Sequence, residues 1–144
     1  MTTIRAARTY DAQTIAELGK ELGYPASRQQ IATRLAGIES EPSSRVLVAE
    51  DASGRVVGWL HVAARTQLTE DACAEILGLV VDESARCGGI GALLVRAAEE
   101  WARSNGCVTI RVRSRQTRER AHRFYEREGF ERNKVQVVLH KSIG

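Results

Sequence analysis

The sequence predicts a mixed α/β domain, and three observations carry that prediction. Segments with strand character and segments with helical period alternate along the whole chain. Two strand-like runs, residues 45–50 and 55–62, flank Asp51-Ala52-Ser53-Gly54, whose turn chemistry joins them as an antiparallel hairpin. A further apolar run, Ile76 to Val81, leads through Arg86-Cys87-Gly88-Gly89-Ile90-Gly91 into a long amphipathic helix. No repeat and no linker interrupts residues 1–144, a length that suits one domain with one core.

The elements follow in order. Residues 2–6 read as a first strand. From Asp11 to Leu22 the apolar positions Ile15, Leu18 and Leu22 recur at helical spacing, and Gly23-Tyr24-Pro25 breaks the pattern. Ser27 and Gln30 have the spacing of a capping box, in which each side chain satisfies the other residue's free N–H. Ile31, Leu35 and Ile38 mark a second helix that ends near Ser40-Glu41-Pro42. After the hairpin, the polar residues 65–71 are expected to form a loop, and residues 73–81 the next strand. Ile90, Leu93, Leu94, Ala97, Ala98 and Trp101 line one face of the long helix, which ends at Asn105-Gly106. Residues 107–113 form a strand with Arg111 and Arg113 on one face and Val108, Ile110 and Val112 on the other. A helix from about Thr117 to Glu128 stops at Gly129, and residues 135–140 close the sheet.

Composition excludes several classes. Hydrophobic residues are 43% and charged residues 27% of the chain, ordinary for a soluble globular protein. No apolar run approaches the ~18 residues of a membrane span. The opening Met-Thr-Thr-Ile-Arg lacks the apolar stretch of a signal peptide. Cys73, Cys87 and Cys107 are odd in number and lack CxxC spacing, which argues against a disulfide framework or a metal site and for a reducing cytoplasm. The net charge of +3 says little about partners. Between Arg111 and Lys134 nine basic residues stand against Glu119, Glu126, Glu128 and Glu131. A nucleic-acid surface would want interleaved aromatic residues, and this strand has none. A solvated helix face with some attraction for a negative ligand is the simpler reading.

The glycine segment is the sharpest signal. The first N–H groups of a helix have no intrahelical partner, and the aligned peptide dipoles add about half a positive charge there. Gly88, Gly89 and Gly91 remove the Cβ atoms that would hold an anion away. The segment is therefore a phosphate seat, suited to a pyrophosphate. A nucleotide P-loop would need Gly-Lys-Ser/Thr, which is absent, and the dinucleotide fingerprint fails at Leu94. The pattern Arg/Gln-x-x-Gly-x-Gly/Ala is satisfied in full by Arg86 to Gly91. In this the segment resembles the acetyl-CoA loop of the GNAT superfamily of N-acetyltransferases.

A second segment is similar to the same family. Its pattern Asn-x-x-Ala-x-x-Phe-Tyr-x-x-x-Gly-Phe is matched by Ala121, Phe124, Tyr125, Gly129 and Phe130, with Arg118 where Asn is usual. The resemblance covers nearly the whole chain and shares its order β-α-α-β-β-β-α-β-α-β. It implies a mostly antiparallel mixed sheet of six to seven strands flanked by four helices. It implies acetyl-CoA as cosubstrate, held by Arg86, Cys87, Gly88, Gly89, Ile90, Gly91 and Ala92, by the backbone of Leu79, Val80 and Val81, and by Arg118, Ala121 and Phe124. Arg118 replaces one expected hydrogen bond and offers a phosphate contact instead.

Transfer from a thioester to an amine sets three tasks. An alkylamine costs about 4.6 kcal/mol to deprotonate at pH 7, so a base or a water chain to one is useful. The resemblance implies Glu75 as that base; on strand alternation alone it shares a face with Leu77, Leu79 and Val81, or is a solvated residue at a strand edge. Glu70, Asp71, Glu17 and Glu21 are further candidates for holding a cationic acceptor. Charge developing on the thioester oxygen needs N–H donors, which the resemblance assigns to residues 79–81 where a bulge splays the strand. The leaving thiolate needs a proton, and the resemblance implies Tyr125; on spacing alone Ala121, Phe124 and Tyr125 are an apolar helix face. Cys87 stands where Gly is more usual, and His61, His122 and His140 read as surface or sheet-edge residues. The reading is an N-acetyltransferase acting on a primary amine of a small molecule or peptide, without membrane attachment and with a homodimer through the last strand as one arrangement. Its rivals are a catalytically silent CoA-binding sensor and a basic nucleic-acid-interacting module.

Overall fold

In the computed structural model, which describes residues 1–86 and 88–144, the described residues form β1 (Thr3–Ala6), α1 (Ala12–Glu21), α2 (Arg28–Glu39), β2 (Ser44–Glu50), β3 (Val56–Gln67), β4 (Glu70–Val81), α3 (Ile90–Ser104), β5 (Thr109–Val112) and α4 (Glu119–Arg127). Residues Met1–Arg113 make one unit, and Ser114–Gly144, with α4, a second.

In the first unit the sheet runs β1-β2-β3-β4-β5. The first pairings are antiparallel and β4–β5 is parallel. A parallel pair needs a crossover, and α3 supplies it. Adjacent residues of β3 show which helices cover which face. A Cβ added to Gly58 would lie 3.3 Å from Leu94 and 3.4 Å from Ile90 of α3, whereas the neighbouring Trp59 ring lies by Gly19 of α1. On the α1–α2 side Ala12, Ile15, Leu18 and Leu35 pack with Val46, Val48, Val56 and Val80. On the α3 side Leu94, Val95 and Ala98 are buried. Each fully buried aliphatic side chain contributes about 1.5–3 kcal/mol.

Local signals act as the sequence predicts. The Ser27 Oγ accepts from the Gln30 N–H at 3.1 Å and the Gln30 Oε1 accepts from the Ser27 N–H at 2.9 Å, closing the capping box of α2. Asp51 Oδ1 accepts from the Ser53 and Arg55 N–H groups at 2.9 and 3.0 Å and fixes the β2–β3 turn. In the second unit, Phe130 N–H donates to the Tyr125 carbonyl at 3.0 Å and ends α4 at Gly129.

Three expectations are corrected. Residues 65–71 are not a loop: the ladder continues through Arg65↔Cys73 to Gln67↔Glu70, leaving Leu68 and Thr69 as the turn. The polar side chains there are exposed, so extending the hairpin buries none of them. β5 spans Thr109–Val112 rather than residues 107–113. Residues 135–140 form no strand; Val135, Val137, Val138 and Leu139 are exposed, and the sheet has five strands among the described residues instead of six to seven. A strand exists only through a paired ladder, and an apolar local pattern does not by itself supply a partner.

Candidate active site

The glycine segment is held at both ends. Asp82, buried at the end of β4, accepts from the Ser84 N–H at 3.0 Å and the Ser84 hydroxyl at 2.9 Å, and pairs with Arg55. The Ser84 bonds and then the Arg55 charge hold its carboxyl below the ordinary carboxylate range. The turn Glu83–Ala85 follows, and the Arg86 Nε–H donates to the Val81 carbonyl at 3.3 Å. Cys87 lies outside the described residues. Gly89 adopts φ +77°, a left-handed conformation that costs other residues about 1–2 kcal/mol. It is the N-cap of α3, whose first hydrogen bond runs from the Leu93 N–H to the Gly89 carbonyl at 3.1 Å. The N–H groups ahead of Leu93 thus have no acceptor within the helix. Buried Ile90 pins the helix start, while Gly88 and Gly89 stay exposed and Gly91 and Ala92 half-buried.

Beyond β5, β4 brings to this segment an edge with no strand partner among the described residues. Its pairing with β5 ends at Ile76↔Val112, yet the strand continues to Val81. On its other side the register jumps from Val62↔Ile76 to His61↔Gly78, so Leu77 is the extra residue of a bulge. The expected bulge therefore lies just ahead of Leu79, Val80 and Val81, which pair with Leu60, Trp59 and Gly58 on β3.

The bulge changes which residues share a face. Glu75 pairs with Ala63, and beyond the bulge Gly78 and Val80 pair with His61 and Trp59, the positions of β3 on the same side as Ala63. Leu79 and Val81 are carried to the opposite face, contrary to simple alternation. Nor is Glu75 solvated. It is 6% exposed, with Oε1 3.2 Å from Arg111 Nε and 4.0 Å from Arg65 Nε, and Oε2 3.4 Å from Arg113 Nε. Arg111 also reaches Glu70 at 2.8 Å. A lone buried carboxylate is costly, and these guanidiniums compensate it. Glu75 and Glu70 thus come together with arginines that strand alternation alone placed on one face of β5.

Sequence reasoning passed over a second polar group on this face. His61 Nε2 lies 2.8 Å from the Ser44 Oγ. Burial, then the nearby Arg65 charge, lowers the imidazole pKa below its ordinary value. Both side chains line an open cavity of about 460 Å³ with Arg34, Gly37, Ile38 and Glu41. The alternation of β3 was the available signal, since it puts His61 on the side of Trp59, Ala63 and Arg65.

In the second unit Tyr125 stacks edge-to-face with Phe124 at 5.2 Å and with Phe130 at 5.5 Å. Arg118 is the N-cap of α4, and Ala121, Phe124 and Tyr125 are half-buried on that helix. His122 is held by the Arg115 carbonyl at 2.9 Å. Among the described residues no cluster of His, Cys, Asp or Glu could hold a metal, and no helix is long and apolar enough to cross a membrane.

Comparison with known proteins agrees with this architecture. An aminoglycoside N(6')-acetyltransferase type 1 from Klebsiella aerogenes is 34% identical over 84 residues, which cover 56% of this chain and 55% of that relative. The chain thus spans about half the length of the curated relative it matches. A solved structure from Bacillus halodurans, described as a transcriptional regulator, is 25% identical, with a TM-score of 0.86 over 98% of this chain and 100% of its own. A Trypanosoma brucei acetyltransferase is 25% identical, with a TM-score of 0.81 over 98% of this chain and 100% of its own. Residues 9–130 match the model of the acetyltransferase (GNAT) family, which is most of the chain, and the protein belongs to that family.

Proposed function

We propose that this acetyltransferase moves an acetyl group from acetyl-CoA directly to a primary amine of a small molecule or peptide, in the cytoplasm. The observation that carries the reading is the open edge of β4 leading into the left-handed Gly89 at the start of α3. Exposed N–H groups at the helix start suit a pyrophosphate, and an unpaired strand edge suits the amides of a pantetheine arm. Arg86, Gly88, Gly89, Ile90, Gly91 and Ala92 would hold the diphosphate, and the family resemblance adds Cys87, which lies outside the described residues. Leu79, Val80 and Val81 would hold the arm and give N–H groups to the thioester oxygen. The family resemblance would add Arg118, Ala121 and Phe124 to the cofactor contacts.

In the reaction the amine nitrogen bonds to the acetyl carbon as the carbon–sulfur bond breaks. Tyr125 would donate its phenolic proton to the departing thiolate, worth about 10²–10⁴-fold. Glu75 has two readings. The family resemblance makes it the base that receives the amine's proton, directly or through water. Its ion pairs favour the second, in which it holds Arg65, Arg111 and Arg113 in place on the acceptor face.

Free-thiol release from acetyl-CoA tests the proposal, with an aminoglycoside, glucosamine and a lysyl peptide as acceptors. The name of the Klebsiella relative puts the aminoglycoside first. The expected result is release that depends on the amine, with Tyr125→Phe losing turnover far more than acetyl-CoA affinity. Heat of acetyl-CoA binding without release for any amine would favour a CoA sensor. Salt-sensitive nucleic-acid binding with no CoA affinity would favour a basic interaction module.

A further inference from the structure

We infer that Arg65, Arg111 and Arg113 form a subsite for an anionic group of the acceptor, so that the amines this protein acetylates also carry a phosphate or a carboxylate. The inference rests on the acetyltransferase reading above and names its acceptor class. It starts from a charge imbalance. Around Glu75, which is 6% exposed, stand three guanidiniums and one further carboxylate, Glu70. Three positive charges therefore face two negative ones. His61, on the same face of β3, adds no charge at pH 7, because burial and the Arg65 charge disfavour its imidazolium. Arg111 is engaged by Glu75 at 3.2 Å and by Glu70 at 2.8 Å. Arg65 is not: its side chain is 46% exposed, and its Nε stops 4.0 Å from Glu75, beyond hydrogen-bond distance. A guanidinium is a planar fork of five donors that matches a carboxylate or a phosphate. Arg65 offers that fork on one side of Glu75. Arg113, 55% exposed, meets the other Glu75 oxygen and supplies a second charge.

The place suits an acceptor. Glu75 pairs with Arg111, and the β4–β5 ladder ends one residue later at Ile76↔Val112. Arg113 therefore stands at the fork where β4 goes on to Val81 without a β5 partner. Arg65 sits opposite Cys73, and its Nε leans back towards Glu75. From Glu75 to Gly78, just past the bulge, is at most ~10 Å of strand. An acid held between Arg65 and Arg113 thus leaves an amine a few bonds away at the β4 edge proposed for the thioester. An acceptor carrying further ammonium groups, as an aminoglycoside does, meets like charge here.

The test uses matched acceptors that differ in the acid: glucosamine and its 6-phosphate, hexylamine and ε-aminocaproate. The acid-bearing member of at least one pair is expected to exceed its neutral partner about 10–100-fold in kcat/KM, carried by KM. Arg65→Gln and Arg113→Gln should each shrink that ratio about tenfold, and a ratio cancels any general loss of activity. Thermal melting and acetyl-CoA calorimetry of both variants report the fold and the cofactor site separately. A ratio unchanged in both variants, a preference for the neutral amines or for an aminoglycoside, or acetyl-CoA affinity lost in the arginine variants overturns the inference and leaves the acetyltransferase reading intact. If no amine releases thiol, that reading falls instead. Calorimetry of each pair against the CoA-bound protein then decides the subsite, and equal affinities within both pairs overturn it.

Discussion

The two faces of the sheet are built by different rules. Under α3, β3 and β4 present Leu60, Val62, Ala74 and Ile76, all buried, and the helix answers with Leu94, Val95 and Ala98. Under α1 and α2 the aliphatic cluster is interrupted by polar groups: Glu75 with its arginines, His61 with Ser44, and Asp11 with Arg5. Of the three buried acids among the described residues, Asp11 and Glu75 belong to this side, and Asp82 closes the end of β4. A face that only packs tolerates no polar group without a partner. A face that carries polar groups has to hold each one with partners drawn from several strands. The acetyltransferase chemistry proposed here uses the second face for the acceptor and the edge between the faces for the donor.

Substitutions on each side sharpen this contrast. Leu94→Ala on the α3 side should cost about 2–5 kcal/mol, since Leu94 is 0% exposed. Urea unfolding at low and high salt should give the same loss. Glu75→Gln on the other side should cost less, about 1–3 kcal/mol, because the arginines it neutralises are partly exposed and can turn to water. Here the loss should shrink as salt screens the guanidiniums from one another. Equal salt dependence in the two variants would break the distinction between the faces.

The packed side and the glycine segment were legible in the sequence; most of the polar side was not. The apolar stripe of α3, the Ser27–Gln30 capping box and the Gly89 turn are set by residues within a few positions of one another, so spacing reveals them. Glu75 was visible as a candidate through the family resemblance. Its guanidiniums were not, because Arg111 lies 36 residues away and meets it only through β4–β5 pairing. Ser44 and His61, 17 residues apart, meet through the hairpin register. A bulge at Leu77 then shifts every later residue of β4 by one face, and nothing in the local sequence announces that shift. The same limit applies to strand ends. The β3–β4 ladder outlasts the apolar residues, and the apolar residues 135–140 have no ladder at all.

The mildest test concerns the far end of the polar side. Asp11 accepts from Arg5 Nη1 at 2.9 Å, from Nη2 at 3.0 Å and from the Arg8 N–H at 2.8 Å. Burial alone would raise its carboxyl pKa, but the Arg5 and Arg8 hydrogen bonds outweigh burial and hold it below the ordinary carboxylate value. A depressed folded pKa means the unfolded chain takes up protons first as pH falls. The stabilisation is therefore complete above the unfolded value of about 3.9 and is lost as pH drops through the lower folded one. Asp11→Asn should cost about 1 kcal/mol at pH 7, because Arg5 is partly exposed and retains Glu50 at 2.5 Å. Below pH ~4 the parent's thermal midpoint should fall towards that of the variant, and the two curves should converge. Leu94→Ala should instead run parallel to the parent across the same pH range, since no titrating group is lost. Melting curves of the three proteins from pH 7 to pH 2 distinguish the outcomes, and parallel curves for Asp11→Asn would remove this pair from the polar side's account.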